Sequence, residues 1–161
     1  AQAQQFGINL NKGILLTGPI GCGKTSLMSL MRILIPPQQR FGIKSCCEIT
    51  FDFIKDGYEV IQRHSTNAYS NTTNLSRPYT TCFDDLGAES TLKYYGNQCN
   101  VMGEILLSRY DHFINNHMIT HATTNLSASE LESYYGNRVR SRMREMFNLI
   151  AFNSNSVDKR K

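Results

Sequence analysis

The amino-acid sequence predicts an α/β protein of three layers, in which a parallel sheet is covered by helices on both faces. Apolar segments typical of buried strands alternate along the chain with segments of helical periodicity. This alternation is the pattern of parallel strands joined by helical crossovers. A glycine-rich turn separates the first strand from the first helix. The length of 161 residues is that of one domain with one hydrophobic core.

The N-terminal half supplies the first strands and helices. The run GILLT at 13–17 predicts a short buried strand, and 25–34 has helical spacing that Pro36 interrupts. Residues 41–50 include the run IKSCCEIT, which is typical of a strand. Residues 51–63 predict a helix, although a glycine near its centre weakens that prediction. The apolar residues at helical spacing in this segment are Phe51, Ile54, Tyr58 and Ile61.

The C-terminal half continues the alternation. Residues 64–78 are rich in Ser, Thr and Asn and predict a loop. Ser127 followed by Glu130 is the capping-box pattern, so a helix is expected to begin there. Further strands are predicted over 79–83, 118–124 and 149–152, and helices over 100–115, 127–135 and 138–146.

Composition argues against several classes of protein. No apolar run approaches the roughly eighteen residues of a membrane-spanning helix, and the N-terminus lacks the regions of a secretory signal. The five cysteines form no CxxC pair, and their odd number argues against a disulfide framework or a zinc site. We therefore expect a protein of the reducing cytoplasm. The net charge of +4 permits contact with nucleic acid without requiring it.

The glycine-rich turn carries the strongest functional signal. It reads GPIGCGKT at 18–25, the G-x-x-x-x-G-K-T pattern between a predicted strand and a predicted helix. Glycines let the backbone turn its N–H groups toward a phosphate, and the helix N-terminus adds a partial positive charge. We therefore expect ATP or ADP here, with Lys24 on the β- and γ-phosphates and the Thr25 hydroxyl on Mg²⁺. The predicted binding residues are Gly18, Pro19, Ile20, Gly21, Cys22, Gly23, Lys24, Thr25 and Ser26.

Polar residues at two later strand ends are candidates for the same site. Asp84 and Asp85 follow the predicted strand at 79–83. Asp84 suits Mg²⁺, which prefers oxygen ligands, and Asp85 could polarise the attacking water, although Asp-Asp-Leu-Gly also suits a plain turn. Asn125 ends the next strand, where its amide could orient that water or merely cap the following helix.

Four arginines at every second position mark the last predicted helix. They are Arg138, Arg140, Arg142 and Arg144. On a helix this spacing distributes them over several faces, and by itself it favours solvated side chains paired with Glu145 or Glu132. The functional alternative is an arginine finger directed at the γ-phosphate of a neighbouring subunit.

Taken together, these motifs resemble a known family. The blocks GPIGCGKTS, CFDDLGAES and ITHATTNLSASEL occur in that order and are followed by YGNRVRSRMREMF. They are similar to the AAA+ ATPases of the bacterial helicase-loader group (DnaC/DnaI-type), with IstB-type transposition ATPases as close relatives. The resemblance extends from about residue 13 to 152. It implies one AAA+ domain over 1–161, with about five parallel strands in the order 5-1-4-3-2 and no C-terminal lid domain.

The resemblance also implies roles for individual residues. Lys24 and Thr25 match the Walker A pair, Asp84 matches the metal-binding Walker B aspartate, and Asp85 matches the catalytic acid. Asn125 matches the sensor 1 residue. In the last helix Arg142 matches the arginine finger, with Arg138 as the second candidate. Glu89 lies in the matching DDLGAE segment without an assigned role.

The function implied is that of an ATPase that loads a replicative helicase during DNA replication. Its expected partners are the helicase, or a transposase in the IstB-type variant, together with single-stranded DNA and further copies of the chain. Two other classes remain open on the residues alone. One is a P-loop small-molecule kinase in which 138–144 closes over phosphate, and the other is a nucleotide switch without hydrolysis.

Overall fold

The structure is a computed structural model that describes residues 5–70, 76–94, 97–153, 155–156 and 158–159. The strands are β1 (Gly13–Thr17), β2 (Gly42–Ser45), β3 (Tyr69–Ser70), β4 (Arg77–Pro78), β5 (Thr81–Leu86), β6 (Leu92–Tyr94), β7 (Asn97–Cys99), β8 (Thr120–Thr124) and β9 (Phe147–Ala151). The helices are α1 (Lys24–Leu34), α2 (Cys46–Asp56), α3 (Tyr58–His64), α4 (Val101–Asn116) and α5 (Ala128–Met146), with a 3₁₀ turn at Pro37–Gln39.

Five of these strands form the main sheet in the order β2-β5-β8-β1-β9. All four pairings in it are parallel. Numbered along the chain within this sheet, the order reads 5-1-4-3-2 from the β9 edge, so the fold class and the predicted strand order are confirmed. The short strands form two separate antiparallel pairs, β3 with β4 and β6 with β7.

The sheet is buried on both faces, as a parallel sheet with helical crossovers requires. Successive residues of β5 belong to different apolar clusters, Phe83 to the larger cluster and Cys82 to the smaller one. The larger cluster packs the sheet against α2 to α5, and the smaller one includes Met28 of α1. This arrangement is the three-layer packing that the alternation of elements predicted.

The predicted strand over 43–50 is wrong in its second half. Only Gly42–Ser45 is a strand, and a helix begins at Cys46. Ser45 caps this helix by accepting a hydrogen bond from the Glu48 N–H at 3.5 Å. The residues buried along it, Cys46, Ile49, Thr50 and Phe53, follow helical spacing. Burial of that face outweighs the strand propensity of the Cys and β-branched residues.

The predicted single helix over 51–63 is interrupted at Gly57. This residue has a φ of 62° and separates α2 from α3. The break also changes which face is buried: Phe53 and Val60 are inaccessible, whereas Phe51 is 69% and Ile54 is 61% exposed. The expected apolar face therefore points largely to solvent.

The remaining elements match their predictions closely. Ser127 and Glu130 form the capping box at the start of α5, which continues through a kink at Gly136 (φ 83°) to include the predicted basic helix. The loop predicted over 64–78 contains the short pair β3 and β4, and its part at 71–75 lies outside the described residues. Within the described parts of the chain, no helix combines the length and apolar character needed to cross a membrane.

Candidate nucleotide site

The glycine-rich turn leaves the N-terminus of α1 without a side-chain cap. Gly23 is the N-cap residue with a φ of 101°, and Gly21 has a φ of 77°. Both values lie in the left-handed region that favours glycine. No side chain of a described residue caps the helix, and its first turn contains no acidic residue. The N–H groups that begin a helix and its positive dipole end suit an anion, and the Asp158 carboxylate of the same chain already lies against Gly21 of this turn.

Lys24 is the first residue of α1, and it is buried, with only 5% of its surface exposed. Its ammonium group donates hydrogen bonds to the carbonyl oxygens of Gly18 at 2.9 Å and Pro19 at 2.8 Å. It also donates to Asn125 Oδ1 at 2.6 Å. Among the described residues, no carboxylate lies within ion-pair distance of Lys24. A buried cation with only neutral partners favours the arrival of an anionic ligand.

The Thr25 hydroxyl and Asp84 meet across the site. The hydroxyl donates to the two carboxylate oxygens of Asp84 at 2.9 and 3.0 Å. From β8, the Thr123 hydroxyl donates to Asp84 Oδ1 at 2.7 Å and accepts the Asp85 N–H at 2.9 Å. Thr123 is fully buried, so Asp84 is held on both sides. This pair of oxygen-bearing side chains has the chemistry that Mg²⁺ prefers.

Asp85 lies beside this pair in an unusual backbone conformation. Its φ is 60°, and the register of β5 against β8 shifts between Phe83 and Leu86. A shift of this kind redirects side chains at a strand end. Asp85 Oδ1 lies 3.5 Å from the Asn125 amide nitrogen, which donates to it. Asn125 therefore bridges Lys24 and Asp85, the cation and the candidate catalytic carboxylate.

A cavity of about 120 Å³ lies within this arrangement. It is lined by Gly21, Gly23, Lys24, Thr25, Ser26, Asp85 and Lys159. Of the other predicted loop residues, Gly18 and Pro19 contribute the carbonyls that hold Lys24, Cys22 is buried, and Ile20 is 62% exposed. These residues fit a nucleotide with Mg²⁺, since the cavity combines an uncapped helix N-terminus, a buried ammonium group and the Thr25–Asp84 oxygens.

The structure does not bring the candidate arginines to this cavity. The Arg142 guanidinium stacks on the Tyr110 ring at 4.4 Å and donates to Glu145 Oε1 at 3.4 Å. Arg138 is exposed and forms no hydrogen bond or ion pair with the described residues. Within one chain, the solvated pairing with Glu145 therefore describes Arg142 correctly.

Sequence reasoning missed three contributors to the site. Thr123 is one of two threonines at the end of a buried strand, a position where a hydroxyl needs a hydrogen-bond partner. Glu89 is buried and accepts hydrogen bonds from the Tyr135 hydroxyl and the Gly87 N–H, and so ties the segment after β5 to α5. The third is Lys159, whose N–H donates to the Gly21 carbonyl at 3.0 Å. Its place beside the loop depends on how the chain folds back after β9, which no local pattern predicts.

Comparison with known proteins finds solved structures of similar fold at low sequence identity. The sequence matches no protein-family model, and no curated protein matches it significantly. Among solved structures, the DnaC helicase loader aligns with a TM-score of 0.61 at 21% identity, over 89% of this chain and 79% of that one. DnaI aligns with a TM-score of 0.62 at 20% identity, over 88% and 73%.

A third structure is the replication initiator DnaA bound to AMPPCP and single-stranded DNA. It aligns with a TM-score of 0.60 at 11% identity, over 91% of this chain and 42% of that one. These identities are low, so what the chain shares with the three proteins is the fold. The resemblance drawn from the motifs is confirmed at that level: the chain has an α/β P-loop NTPase-like fold, as these replication proteins do.

Proposed function

We propose that this chain is an AAA+ ATPase of the helicase-loader type that binds and hydrolyses ATP with Mg²⁺ in DNA replication. The observation that carries the proposal is Lys24, a buried ammonium group at a helix N-terminus, where none of the described residues supplies a carboxylate partner or a side-chain cap. A structural lysine buried in this way would be costly, because a buried charge needs a compensating partner. Nucleotide phosphates supply that partner.

The residues of the site divide the work of hydrolysis. The ammonium of Lys24 exchanges its bonds to the Gly18 and Pro19 carbonyls for phosphate oxygens. Thr25 and Asp84 hold Mg²⁺ through the oxygens that now hydrogen-bond to one another. Asp85 accepts a proton from the attacking water, and Asn125 orients that water. ATP bound here supplies the γ-phosphate as the electrophile.

Arg142, with Arg138 as the alternative, acts on the site of a neighbouring copy. Neither side chain contacts the cavity of its own chain, and Arg142 needs only to leave Tyr110 and Glu145, both surface contacts. An arginine supplied in trans would neutralise charge in the transition state. Hydrolysis would then require self-association.

The similarity to the DnaC helicase loader supports a replicative helicase as the partner, and the DnaA bound to AMPPCP and single-stranded DNA supports nucleotide and single-stranded DNA as ligands. A transposase replaces the helicase in the IstB-type alternative. We place the protein in the cytoplasm, where these partners act.

Asp85→Asn separates binding from hydrolysis and tests the catalytic assignment. The variant should bind a fluorescent ATP analogue as the wild type does, because Lys24 and the α1 N-terminus are intact. Its phosphate release should fall to background in the presence of Mg²⁺. Hydrolysis at the wild-type rate would show that Asp85 is not the group that accepts the proton of the attacking water.

The partner is tested by size-exclusion chromatography with ATP. The Asp85→Asn chain, which should remain ATP-bound, is mixed with the replicative helicase or with a transposase of the source organism. Co-elution with the helicase alone supports the loader. Co-elution with the transposase alone selects the alternative.

A further inference from the structure

A second cavity lies at the amino ends of strands β2 and β5. Its volume is about 460 Å³, within the usual range for ligand sites, roughly 300–1,000 Å³. Gly42 and Thr81, the first residues of β2 and β5, line it. The nucleotide residues follow the carboxyl ends of strands, so the two cavities lie at different ends of the sheet. We call the second cavity the basic cleft, after its lining residues Arg32, Arg40, Lys44 and Arg63; His64 lines it as well.

The cations of the basic cleft are poorly neutralised. None of the described residues that line it is acidic. Arg63 is paired, with Asp56 at 3.0 Å and Glu59 at 3.8 Å. Arg32 and Lys44 are exposed and form no hydrogen bond or ion pair with the described residues. The cleft therefore presents unpaired positive charge to solvent.

A buried cation donates hydrogen bonds to the residues that form the wall of the cleft. Arg109 of α4 is completely buried and donates to the carbonyl oxygens of His64 at 3.0 Å and Tyr79 at 2.9 Å. Its other acceptors are the Ile119 carbonyl and the Thr120 hydroxyl, so all four are neutral. Arg109 thus fixes two segments of the cleft wall while its charge remains without a carboxylate.

The pKa of His64 reflects the positive charges around the cleft. Burial, and next the charges of Lys44, Arg63 and Arg109, lower the pKa of His64 to about 4, and only Asp52 opposes them. At neutral pH the ring is therefore uncharged. Its neighbours on β2, α3 and α4 make the cleft electropositive.

We propose that the basic cleft binds the phosphate backbone of a single-stranded nucleic acid, with Arg32 and Lys44 on phosphate oxygens and the Tyr79 ring against a base. Tyr79 lines the cleft and is 52% exposed. An exposed aromatic ring in a cleft that cations also line suits an unpaired strand, because bases of a single strand can stack on it. This inference rests on the proposed function for DNA as a partner and assigns the place where it binds.

A fluorescent reporter at Tyr79 tests the contact directly. The sequence contains no tryptophan, so Tyr79→Trp introduces a single one at the cleft. Titration with oligothymidylate should quench its emission to a plateau. The matched control is Tyr58→Trp on α3, at a residue that is 57% exposed and outside the cleft lining, and its emission should not change. Equal quenching in both variants, or quenching of Tyr79→Trp by inorganic phosphate and not by the oligonucleotide, would overturn the proposal.

Charge removal tests the phosphate contacts. Arg32→Ala and Lys44→Ala should each weaken oligothymidylate binding, measured by fluorescence anisotropy, and lower the slope of log K against log salt by about 0.7. Lys55→Ala removes the same charge from an exposed position on α2 outside the cleft lining and should leave the slope unchanged. If all three variants bind as the wild type does, the site assignment is wrong while DNA remains a ligand. If the wild type itself does not bind, DNA is removed from the proposed function as well.

Discussion

Two regions of the molecule differ in whether a single chain completes them. One is the nucleotide site at the carboxyl ends of the main-sheet strands, here called the sheet edge. The other is the half of α5 that carries the arginines. At the sheet edge, each of the predicted polar side chains contacts another group of the same site; these are Lys24, Thr25, Asp84, Asp85 and Asn125. On α5, Arg138 has no partner among the described residues, and Arg142 contacts only Tyr110 and Glu145.

This difference separates two kinds of catalytic part. Side chains held by mutual hydrogen bonds already lie together at one site, so a ligand exchanges these bonds for its own without having to gather the groups. An exposed arginine keeps its rotamer freedom and can turn toward a second molecule at small cost. The sheet edge is therefore suited to bind nucleotide within one chain, and α5 to act across an interface.

Removing Lys24 should have the largest effect, because it removes a buried cation that has no carboxylate partner in the described part of the chain. Lys24→Ala should abolish measurable ATP hydrolysis and weaken ATP binding. The measurements are phosphate release and the affinity for a fluorescent ATP analogue. Lys55→Ala, which removes a charge from the exposed face of α2, is the control and should match the wild type. ATP affinity unchanged in Lys24→Ala would mean that the sheet edge is not the phosphate site.

Removing Arg142 tests whether α5 acts across an interface. Arg142→Ala should lower the ATPase rate by about 10³–10⁵ while ATP affinity stays near that of the wild type, since the side chain acts only in the transition state. Tyr110→Phe removes the hydroxyl that contacts Arg142 but keeps the ring, and should have little effect on the rate. Arg138→Ala measured beside it decides which of the two arginines is used.

Mixing two inactive variants tests whether α5 of one chain acts on the sheet edge of another. Arg142→Ala contains an intact sheet edge, and Lys24→Ala contains an intact α5. A mixture of the two should therefore recover activity at interfaces that combine both intact parts. No recovery at high protein concentration, together with a specific activity independent of concentration, would assign both regions to one chain and favour a monomeric kinase.

Acid should lower the free energy of unfolding, because His121 links β1 and β8 of the main sheet. The Ile14 N–H of β1 donates to His121 Nδ1 of β8 at 3.0 Å, and burial lowers the His121 pKa to about 4. Between about pH 6.5 and 4 the unfolded chain binds a proton that the folded chain does not, so stability falls as the pH falls. One such histidine contributes a slope of up to about 1.4 kcal/mol per pH unit.

His64 has a pKa of about 4 as well and adds to the same slope. Urea denaturation from pH 7 to 4.5 should therefore show a shallower pH dependence in His121→Gln than in the wild type, without disappearing. An identical slope in both proteins would show that His121 does not titrate in this range.

The smallest effect is expected at Lys159, which lines the cavity but is exposed. Lys159→Ala should reduce ATP affinity by no more than about fivefold, because an exposed charge contributes at most about 1 kcal/mol. The hydrolysis rate at saturating ATP should not change. If Lys159→Ala lost as much ATP affinity as Lys24→Ala, the segment after β9 would be part of the buried phosphate site.

The sequence by itself determined the parts that are local. The run GILLT, the glycine turn and the following helix occupy adjacent positions, so one pattern specifies strand, phosphate loop and helix together. The capping box at Ser127 likewise depends on residues three apart. Strand order came from the resemblance, which compares whole motifs rather than single elements.

Tertiary structure decided what depends on distant residues. The helix at Cys46 forms because its buried face meets the core, whereas its local propensity favours a strand. Thr123 reaches Asp84 only because β5 and β8 pair in one register. Arg109 donates hydrogen bonds to the carbonyls of His64 and Tyr79 in the wall of the basic cleft, which lie 45 and 30 positions away in the sequence. Such contacts arise when the chain packs, and no window of sequence contains them.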